Sequence, residues 1–373
     1  MGADLDALLD LFVRLVEIPS PSGHERGVAD FVLGYLRDVG FDPVEDDSGP
    51  ATGSDSGNIT VQVPGEGRGT PIVVAAHMDT VTVSGPIHAV VVGGVVRSAG
   101  DTILGGDDKA ACTALLAVLA DLATSSPPCG LAAVFSTCEE VGLRGAKALD
   151  LARLGARAGF VLDEAGPVGD VITRAPSQKM VTADFHGVAA HAGIAPEQGR
   201  SAIAAAAAAV AGMRLGRIDE TTTANVGLIS GGSAVNVVPE RCRIEGEVRS
   251  HDEARLAEHT AHVIDSVELA AGLAGIDVEV TVRDAFTGFA LADDALPVRI
   301  ATAALRDIGI EPRVRASGGG SDVNVYNAAG LPSVNLSVGM EQVHSPDEHL
   351  PVERLGEAYR LLHALLRAAA AAT

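Results

Sequence analysis

Two spacings of apolar residues alternate over the first 175 positions. Apolar residues recur every three or four positions at 5–16 and 27–39, which predicts amphipathic helices. Short apolar runs at 59–63, 72–76, 131–136 and 159–162 predict strands. Residues 109–122 are apolar on nearly every side and predict a buried helix, with Asp107 and Asp108 placed to cap its free amides. Such alternation is typical of a largely parallel sheet covered by helices.

The pattern changes after residue 175. Alternating strands are predicted at 180–186, 226–230, 241–249 and 278–282, with helices at 196–212 and 253–271. The first pattern returns with a helix at 296–308, a strand at 333–337 and a helix from 352. We therefore predict one α/β domain built from residues 1–175 and 287–373, with an α+β domain of residues 176–286 inserted in it.

Composition narrows the class of partner. The chain has 27 basic and 49 acidic residues, a net charge of −22, no Trp and only 3% aromatic residues. This predicts no nucleic-acid partner and no membrane partner. The first residues do not resemble a signal peptide, no run of about 20 apolar residues is present, and the four cysteines form no CxxC pair. We expect a cytoplasmic protein.

Residues of metal-ligating types lie at the predicted strand ends and at the entry to the buried helix. They are His77 and Asp79 after 72–76, Asp107 and Asp108 before 109–122, Glu139 and Glu140 after 131–136, Asp163 and Glu164 after 159–162, and His344 after 333–337. Ligands of open parallel sheets bind beyond the carboxyl ends of the strands. Each residue alone is ordinary surface chemistry, but together they predict a metal site.

Two histidines and several carboxylates without cysteine suit Zn, Co or Mn rather than a thiolate site. A carboxylate that bridges two ions permits two-metal hydrolysis, in which one ion polarises the scissile carbonyl and a bridging water attacks it. A nearby Glu can then move the proton from the water to the leaving amine.

Five segments carry a family resemblance in a fixed order. They are His77-Met78-Asp79-Thr80, Gly106-Asp107-Asp108-Lys109, Glu139-Glu140, Asp163 and His344. The chain resembles the metallopeptidase superfamily that includes aminoacylases, glutamate carboxypeptidases, succinyl-diaminopimelate desuccinylase, carnosinases and peptidase T. Segments 105–109, 317–322 and 343–346 are most similar to peptidase T and its shorter relatives.

The resemblance implies a dinuclear centre with two divalent ions, expected to be zinc, with Co or Mn as alternatives. His77, Asp107 and Asp163 would hold one ion. Asp107 would bridge to a second ion, which Glu140 and His344 would also hold.

The resemblance also implies roles for the neighbours of these ligands. Glu139 would be the general base. Asp79 would orient His77 through its ring N–H. The peptide bond between Asp107 and Asp108 would be cis.

In the same way, residues 176–286 would form a lid and dimerisation domain. His191 would stabilise the oxyanion, commonly in the neighbouring subunit, although without its motif it reads as a local hydrogen-bonding residue. Asn236 and Arg249 would hold the substrate's carbonyl or carboxylate, with a surface salt bridge equally open for Arg249. The Gly-rich turn at Gly319 would lie near the substrate, since the residues after it exclude a P-loop.

The leading hypothesis is a peptidase T-like tripeptidase or aminopeptidase that cleaves the N-terminal peptide bond of short peptides. Asp rather than Glu at position 163 favours this branch. The alternative is an N-acyl-amino-acid amidohydrolase with the same chemistry. A catalytically inactive peptide-binding protein is disfavoured, because every proposed ligand and Glu139 are present.

Overall fold

A computed structural model describes residues 4–67, 69–82 and 85–372. The chain divides into two compact units. The first comprises Met1–Arg174, Ala290–Ser317 and Ser321–Thr373, and the second comprises Ala175–Phe289 and Gly318–Gly320. The inserted domain was predicted at residues 176–286, and both of these boundaries lie within three residues of the observed ones. The structure differs from the prediction in that Gly318–Gly320 also belongs to the second unit.

The described residues form ten α-helices and seventeen strands. The helices are α1 (Leu5–Val16), α2 (Arg26–Asp38), α3 (Gly49–Thr52), α4 (Gly106–Leu122), α5 (Arg144–Ala148), α6 (Ala202–Gly212), α7 (Glu253–Ala274), α8 (Leu296–Asp307), α9 (Asp322–Ala328) and α10 (Val352–Ala371). The strands are β1 (Val44–Glu45), β2 (Ile59–Val63), β3 (Ile72–His77), β4 (Ala89–Val92), β5 (Val95–Ser98), β6 (Leu131–Ser136), β7 (Ala158–Glu164), β8 (Asp170–Ala175), β9 (Ser177–His186), β10 (Gly216–Arg217), β11 (Thr222–Gly231), β12 (Arg241–Ser250), β13 (Asp277–Phe286), β14 (Phe289–Ala290), β15 (Arg313–Ala316), β16 (Ser333–Ser337) and β17 (His349–Pro351). Short 3₁₀ turns add Leu151–Leu154 and Pro196–Gln198. None of the described helices combines the length and hydropathy needed to cross a bilayer.

The first unit is built on one mixed sheet in the order β1-β2-β6-β3-β7-β16-β8-β14, with β15 also paired to β8. Its centre is parallel: β3 pairs with β6 and β7, and β16 pairs with β7, all in the same direction. Strands β3, β6 and β16 are buried along their whole length, as expected of parallel strands covered on both faces. The predicted α/β fold with a largely parallel sheet is confirmed.

Helix α4 is the central helix of this unit. It packs against α1, α2, α10 and β3, and nearly all of its residues are buried. The predicted buried helix is therefore correct, and because α4 begins at Gly106 it fixes the entry loop near the carboxyl end of β3.

The second unit is an antiparallel sheet in the order β10-β11-β12-β9-β13. Helices α6 and α7 pack together and against β9 and β12. Apolar residues of these helices and strands form a separate core, which includes Ala206, Phe185, Ile244 and Val267. This unit has the α+β composition that the sequence predicted.

The single helix predicted over 196–212 is wrong. The chain forms a 3₁₀ turn, becomes extended at Gly199 (φ −89°, ψ 160°), and starts α6 only after Ser201, whose Oγ accepts the Ala204 N–H at 3.1 Å. A Cβ at Gly199 would lie 2.8 Å from the side chain of Val238. Val188 and Arg200 exchange two main-chain hydrogen bonds of 2.9 Å, and this pairing holds the chain extended before α6.

A hairpin at β4 and β5 was not predicted. Its turn is Gly93-Gly94, both residues with positive φ (61° and 79°), as a tight two-residue hairpin turn requires. The hairpin forms a small sheet with β17, in the order β17-β5-β4.

Gly145 offers a test of how the loop that bears Glu139 is held. A Cβ at Gly145 would meet the Thr137 carbonyl oxygen at 2.2 Å and Asn58 Oδ1 at 2.6 Å. We predict that Gly145→Ala lowers the free energy of unfolding by about 1–3 kcal/mol through overpacking. The matched control is Gly34→Ala within α2, where nothing lies within 4 Å of the added atom, and it should stabilise by about 0.5–1 kcal/mol. Urea unfolding measures both, and equal effects would contradict the packing argument.

Candidate metal centre

The ligand-type residues of the first unit meet at the carboxyl edge of its parallel strands. His77 ends β3, Glu139 and Glu140 follow β6, and Asp163 lies near the end of β7. These strands are neighbours in the order β6-β3-β7, so parallel pairing brings their ends together. Asp107 enters from the start of α4, and His344 from the loop after β16.

Asp107 lies between the two imidazoles. Its Oδ1 is 3.2 Å from His77 Nε2, and its Oδ2 is 3.1 Å from His344 Nε2. His344 Nε2 also lies 2.9 Å from Glu140 Oε1, and His77 Nε2 lies 3.6 Å from Asp163 Oδ1. One carboxylate thus faces a different histidine with each oxygen, which is the arrangement that a bridging ligand needs.

Among the residues that the structure describes, two overlapping groups of side chains could hold a metal ion: His77 with Glu139 and Asp163, and His77 with Asp107 and Glu140. In each group the potential ligand atoms lie within 4.8 Å of one another. The donors are imidazole nitrogens and carboxylate oxygens, which suit borderline divalent ions. The residues present therefore fit divalent metal binding.

The electrostatics of the cluster indicate that a cation is needed. Burial, and after it the negative charge of Asp163, raises the pKa of Glu139 well above its usual value. Burial also raises the pKa of Asp163 to about 8, although a hydrogen bond from a buried imidazole lowers it. Hydrogen bonds to Asp107 and Glu140 raise the pKa of His344 to about 10. The site holds more carboxylates than it can keep ionised without added positive charge.

Five of the six clustered residues have their main-chain N–H bound by a side-chain oxygen. The pairs are His77 with Asp108 (3.2 Å), Asp107 with Glu348 (3.0 Å), Glu139 with Asp79 (2.9 Å), Glu140 with Asp79 (3.2 Å) and Asp163 with Asn335 (2.9 Å). Glu25 extends this pattern, since its carboxylate accepts the N–H of Cys138 at 3.0 Å. The loops are thus held by their backbone, which leaves the side chains of the cluster free to serve as ligands.

Asp79 contacts His77 differently from the prediction. His77 Nδ1 is 2.9 Å from the main-chain oxygen of Asp79 and 3.5 Å from its carboxylate. Because a carbonyl oxygen only accepts, Nδ1 carries the proton and Nε2 is free to act as a ligand. The Asp79 carboxylate accepts the hydroxyl of Ser22 (2.7 Å) as well as the two N–H groups after β6.

The capping role predicted for Asp107 and Asp108 is wrong. Their peptide bond is cis, as the resemblance implied, and neither has helical backbone angles. Glu348 accepts the N–H groups at this helix entry instead. Sequence reasoning missed Glu348, Asn335 and Glu25. The sequence does mark Asn335, because it is a polar residue within an apolar strand. Nothing in the sequence marks Glu348 or Glu25.

The predicted lid residues lie in the second unit. Ala192 N donates to the main-chain oxygen of Asn236 at 3.0 Å, so the loops of His191 and Asn236 are neighbours. His191 Nδ1 accepts the N–H of Gly193 at 3.2 Å, the local hydrogen bond that was the alternative interpretation. Gly319 belongs to the segment Gly318–Gly320 of this unit.

Arg249 lies away from those two loops. It pairs with Glu247 through two contacts of 3.0 Å, which is the salt bridge that remained open as an alternative. Arg249 is near the end of β12. The segment that leads to His191 lies at the other end of this strand, because the N–H of Gly187 donates to the main-chain oxygen of Glu240, just before β12 starts. Arg249 lies eight positions after Arg241 on this strand, a distance of roughly 25 Å at the usual rise.

The sequence of this chain is similar to those of a known protein family and its members. The sequence profile of peptidase family M20/M25/M40 matches residues 73–368. The YqjE protein of Bacillus subtilis (strain 168) is 38% identical over 97% of this chain and 98% of its own length.

Two solved structures are similar over nearly the whole chain. A tripeptidase of Staphylococcus aureus subsp. aureus Mu50 has a TM-score of 0.90 and 34% identity, covering 99% of both chains. The aminopeptidase PepT of Bacillus cereus ATCC 10987 has a TM-score of 0.85 and 36% identity, covering 98% of this chain and 99% of its own. The resemblance drawn from the motifs is confirmed: the chain belongs to peptidase family M20/M25/M40 and is a metal-dependent peptidase.

Proposed function

We propose that this peptidase is a dinuclear metallo-aminopeptidase that removes the N-terminal residue of short peptides, tripeptides in particular. The observation that carries the proposal is Asp107, whose two oxygens face His77 and His344 separately. The names of the two similar structures, an aminopeptidase and a tripeptidase, support the substrate class. They favour it over the N-acyl-amino-acid amidohydrolase alternative.

We assign His77, Asp107 and Asp163 to one ion and Asp107, Glu140 and His344 to the other, with Zn as the expected metal and Co or Mn as substitutes. When bound, the ions supply Lewis acidity that polarises the scissile carbonyl and makes water easier to deprotonate. Nitrogen and carboxylate donors without thiolate support this choice.

Glu139 is the proposed general base. Its carboxylate would take the proton of the attacking water and deliver it to the leaving amine. Burial raises its pKa well above the usual value, so once added positive charge in the site has ionised it, the carboxylate is a stronger base than an exposed glutamate. Its main-chain N–H is held by Asp79 at 2.9 Å, so the side chain is aimed from a fixed backbone.

We place the protein in the cytoplasm, without nucleic-acid or membrane partners. All four cysteines are free and buried, as expected in a reducing compartment. The net charge of −22 disfavours polyanionic partners. Fractionation of native cells tests the location, and recovery only outside the cytoplasm would refute it.

We further propose a homodimer formed through the second unit. His191 and Asn236 lie at one end of β12 and Arg249 near the other, so a small substrate that contacts both sets requires two copies. The outer edge of β11 is unpaired by β10 beyond Ala224, and Leu228 and Ile229 are exposed there. An open apolar strand edge favours pairing with a second copy.

Substrate polarity separates the two hydrolase hypotheses. We predict that the Zn- or Co-loaded protein cleaves Ala-Ala-Ala and leaves its N-acetyl form uncut. A chromatographic assay of a panel of tripeptides, dipeptides, N-acetyl and N-succinyl amino acids measures this. Faster cleavage of the acylated compounds would move the assignment to the amidohydrolase class.

Glu139→Gln tests the general base. The amide cannot accept the proton, so kcat should fall by about 10²–10⁴-fold while metal content stays at the wild-type level. The neighbouring change Glu140→Gln is the matched control, since it should weaken metal binding as well. Elemental analysis and steady-state kinetics distinguish the two. Near-normal turnover of metal-loaded Glu139→Gln would remove Glu139 from the mechanism.

Mixed dimers test whether His191 acts across the subunit interface. Glu139→Ala and His191→Ala should each be inactive as homodimers. After subunit exchange at equal amounts, half the dimers are mixed and each has one complete site, so about a quarter of wild-type activity should return. Glu139→Ala exchanged with itself is the control. Absence of recovery after demonstrated exchange would assign His191 to its own subunit or to no role.

A further inference from the structure

The loop from 341 to 349 carries His344 and closes on itself. Glu341 and His349 pair at its base through two main-chain hydrogen bonds of 3.0 Å each. His344 lies towards its outer part, with 47% of the side chain exposed. Glu348, four residues later, is only 1% exposed. The same short loop thus presents a proposed ligand to the site and a carboxylate to the interior.

The Glu348 carboxylate accepts hydrogen bonds from the backbone of the loop that contains Asp107. Its Oε2 accepts the N–H groups of Leu104 and Gly105, both at 2.8 Å, and its Oε1 accepts the N–H of Asp107 at 3.0 Å. Gly105 has φ +70°, a left-handed conformation that glycine adopts without strain. Hydrogen bonds to a buried charged acceptor are the strong class of protein hydrogen bond.

This contact joins the two loops that meet at the second ion. Asp107 and His344 are both ligands of that ion in the proposed function. Asp107 also reaches the first ion, but the other two ligands of the first ion, His77 and Asp163, sit on strands β3 and β7. Strands are fixed by their ladders, but the two loops depend on side-chain contacts for their relative placement. Glu348 belongs to the loop that carries His344, and its buried carboxylate contacts the loop that carries Asp107.

We propose that Glu348 is a positioning residue for the second metal ion, because it fixes Asp107 relative to His344. This inference rests on the dinuclear site of the proposed function. Loss of the contact would separate the bridging carboxylate from its histidine while leaving the ligands on β3 and β7 in place. The affinity for the second ion should therefore fall more than the affinity for the first.

Glu348→Gln is the test. The amide has one acceptor oxygen and turns an NH₂ group towards backbone donors, so the three hydrogen bonds cannot all persist. We expect the second Co²⁺ to bind about 10–100-fold more weakly, the range for lost outer contacts of metal sites, with a smaller loss for the first ion, which keeps His77 and Asp163. Titration of the metal-free full-length protein with Co²⁺, followed by visible absorption and by competition with a chromophoric chelator, measures both steps. Cleavage of Ala-Ala-Ala should recover as Co²⁺ is raised.

Asp347→Asn is the matched control. It removes the same charge one residue earlier in the same loop, from an exposed side chain, and should bind both ions as the wild type does. The melting temperature of each metal-free variant checks that the fold is intact. If Glu348→Gln does not fold, Glu348→Asp, which keeps the charge but shortens the reach, is judged by the same two affinities.

The outcomes are distinguishable. Wild-type protein that binds fewer than two Co²⁺ ions would refute the proposed function itself. Two ions in the wild type, with unchanged affinities in the folded Glu348 variant, would overturn only the role of Glu348. An equal loss at both steps would also overturn it, since the role is specific to the second ion.

Discussion

The structure depends on hydrogen bonds from main-chain N–H groups to buried side-chain oxygens around the metal centre. Loops after parallel strands lose the ladder that fixes their backbone, yet here they must carry closely spaced carboxylates that repel one another. Asp79 holds two consecutive N–H groups after β6, and Glu348 holds three at the entry to α4. These contacts hold the backbone in place against that repulsion, and the N–H donors stabilise the ionised form of the two carboxylates that accept them.

Much of the first unit could be predicted because its signals are local. The bounds of β2, β6 and β16 match the short apolar runs of the sequence. The end of β6 places Glu139, and the end of β7 places Asp163. The hairpin at Gly93-Gly94 was not predicted, although it too has a local signal, valines that flank a two-glycine turn. The helix predicted over 196–212 failed for another reason: Ala-rich composition favours a helix, but main-chain pairing of Arg200 with Val188 holds the chain extended before α6.

The supports of the site were beyond sequence reasoning for a physical reason. Glu348 and the residues it binds are more than 240 positions apart, so no spacing along the chain connects them. The ligand roles of the clustered side chains could be predicted, because only a few residue types bind metal ions. The groups that hold a backbone in place can be any acceptor, and only the folded contacts reveal them. The pair of Arg249 with Glu247 is the opposite case, because residues two apart on one strand share a face and the sequence spacing alone brings them together.

Anchoring through peptide groups has a consequence for how such a centre can change over time. A peptide N–H is present whatever the side chain, apart from proline, so the loops keep their course when a ligand is replaced. Asp163, whose N–H is held by Asn335, could be exchanged for another donor without releasing the backbone that carries it. The frame and the ligand set can therefore vary independently, and a single scaffold can be adapted to a different metal or substrate by few substitutions.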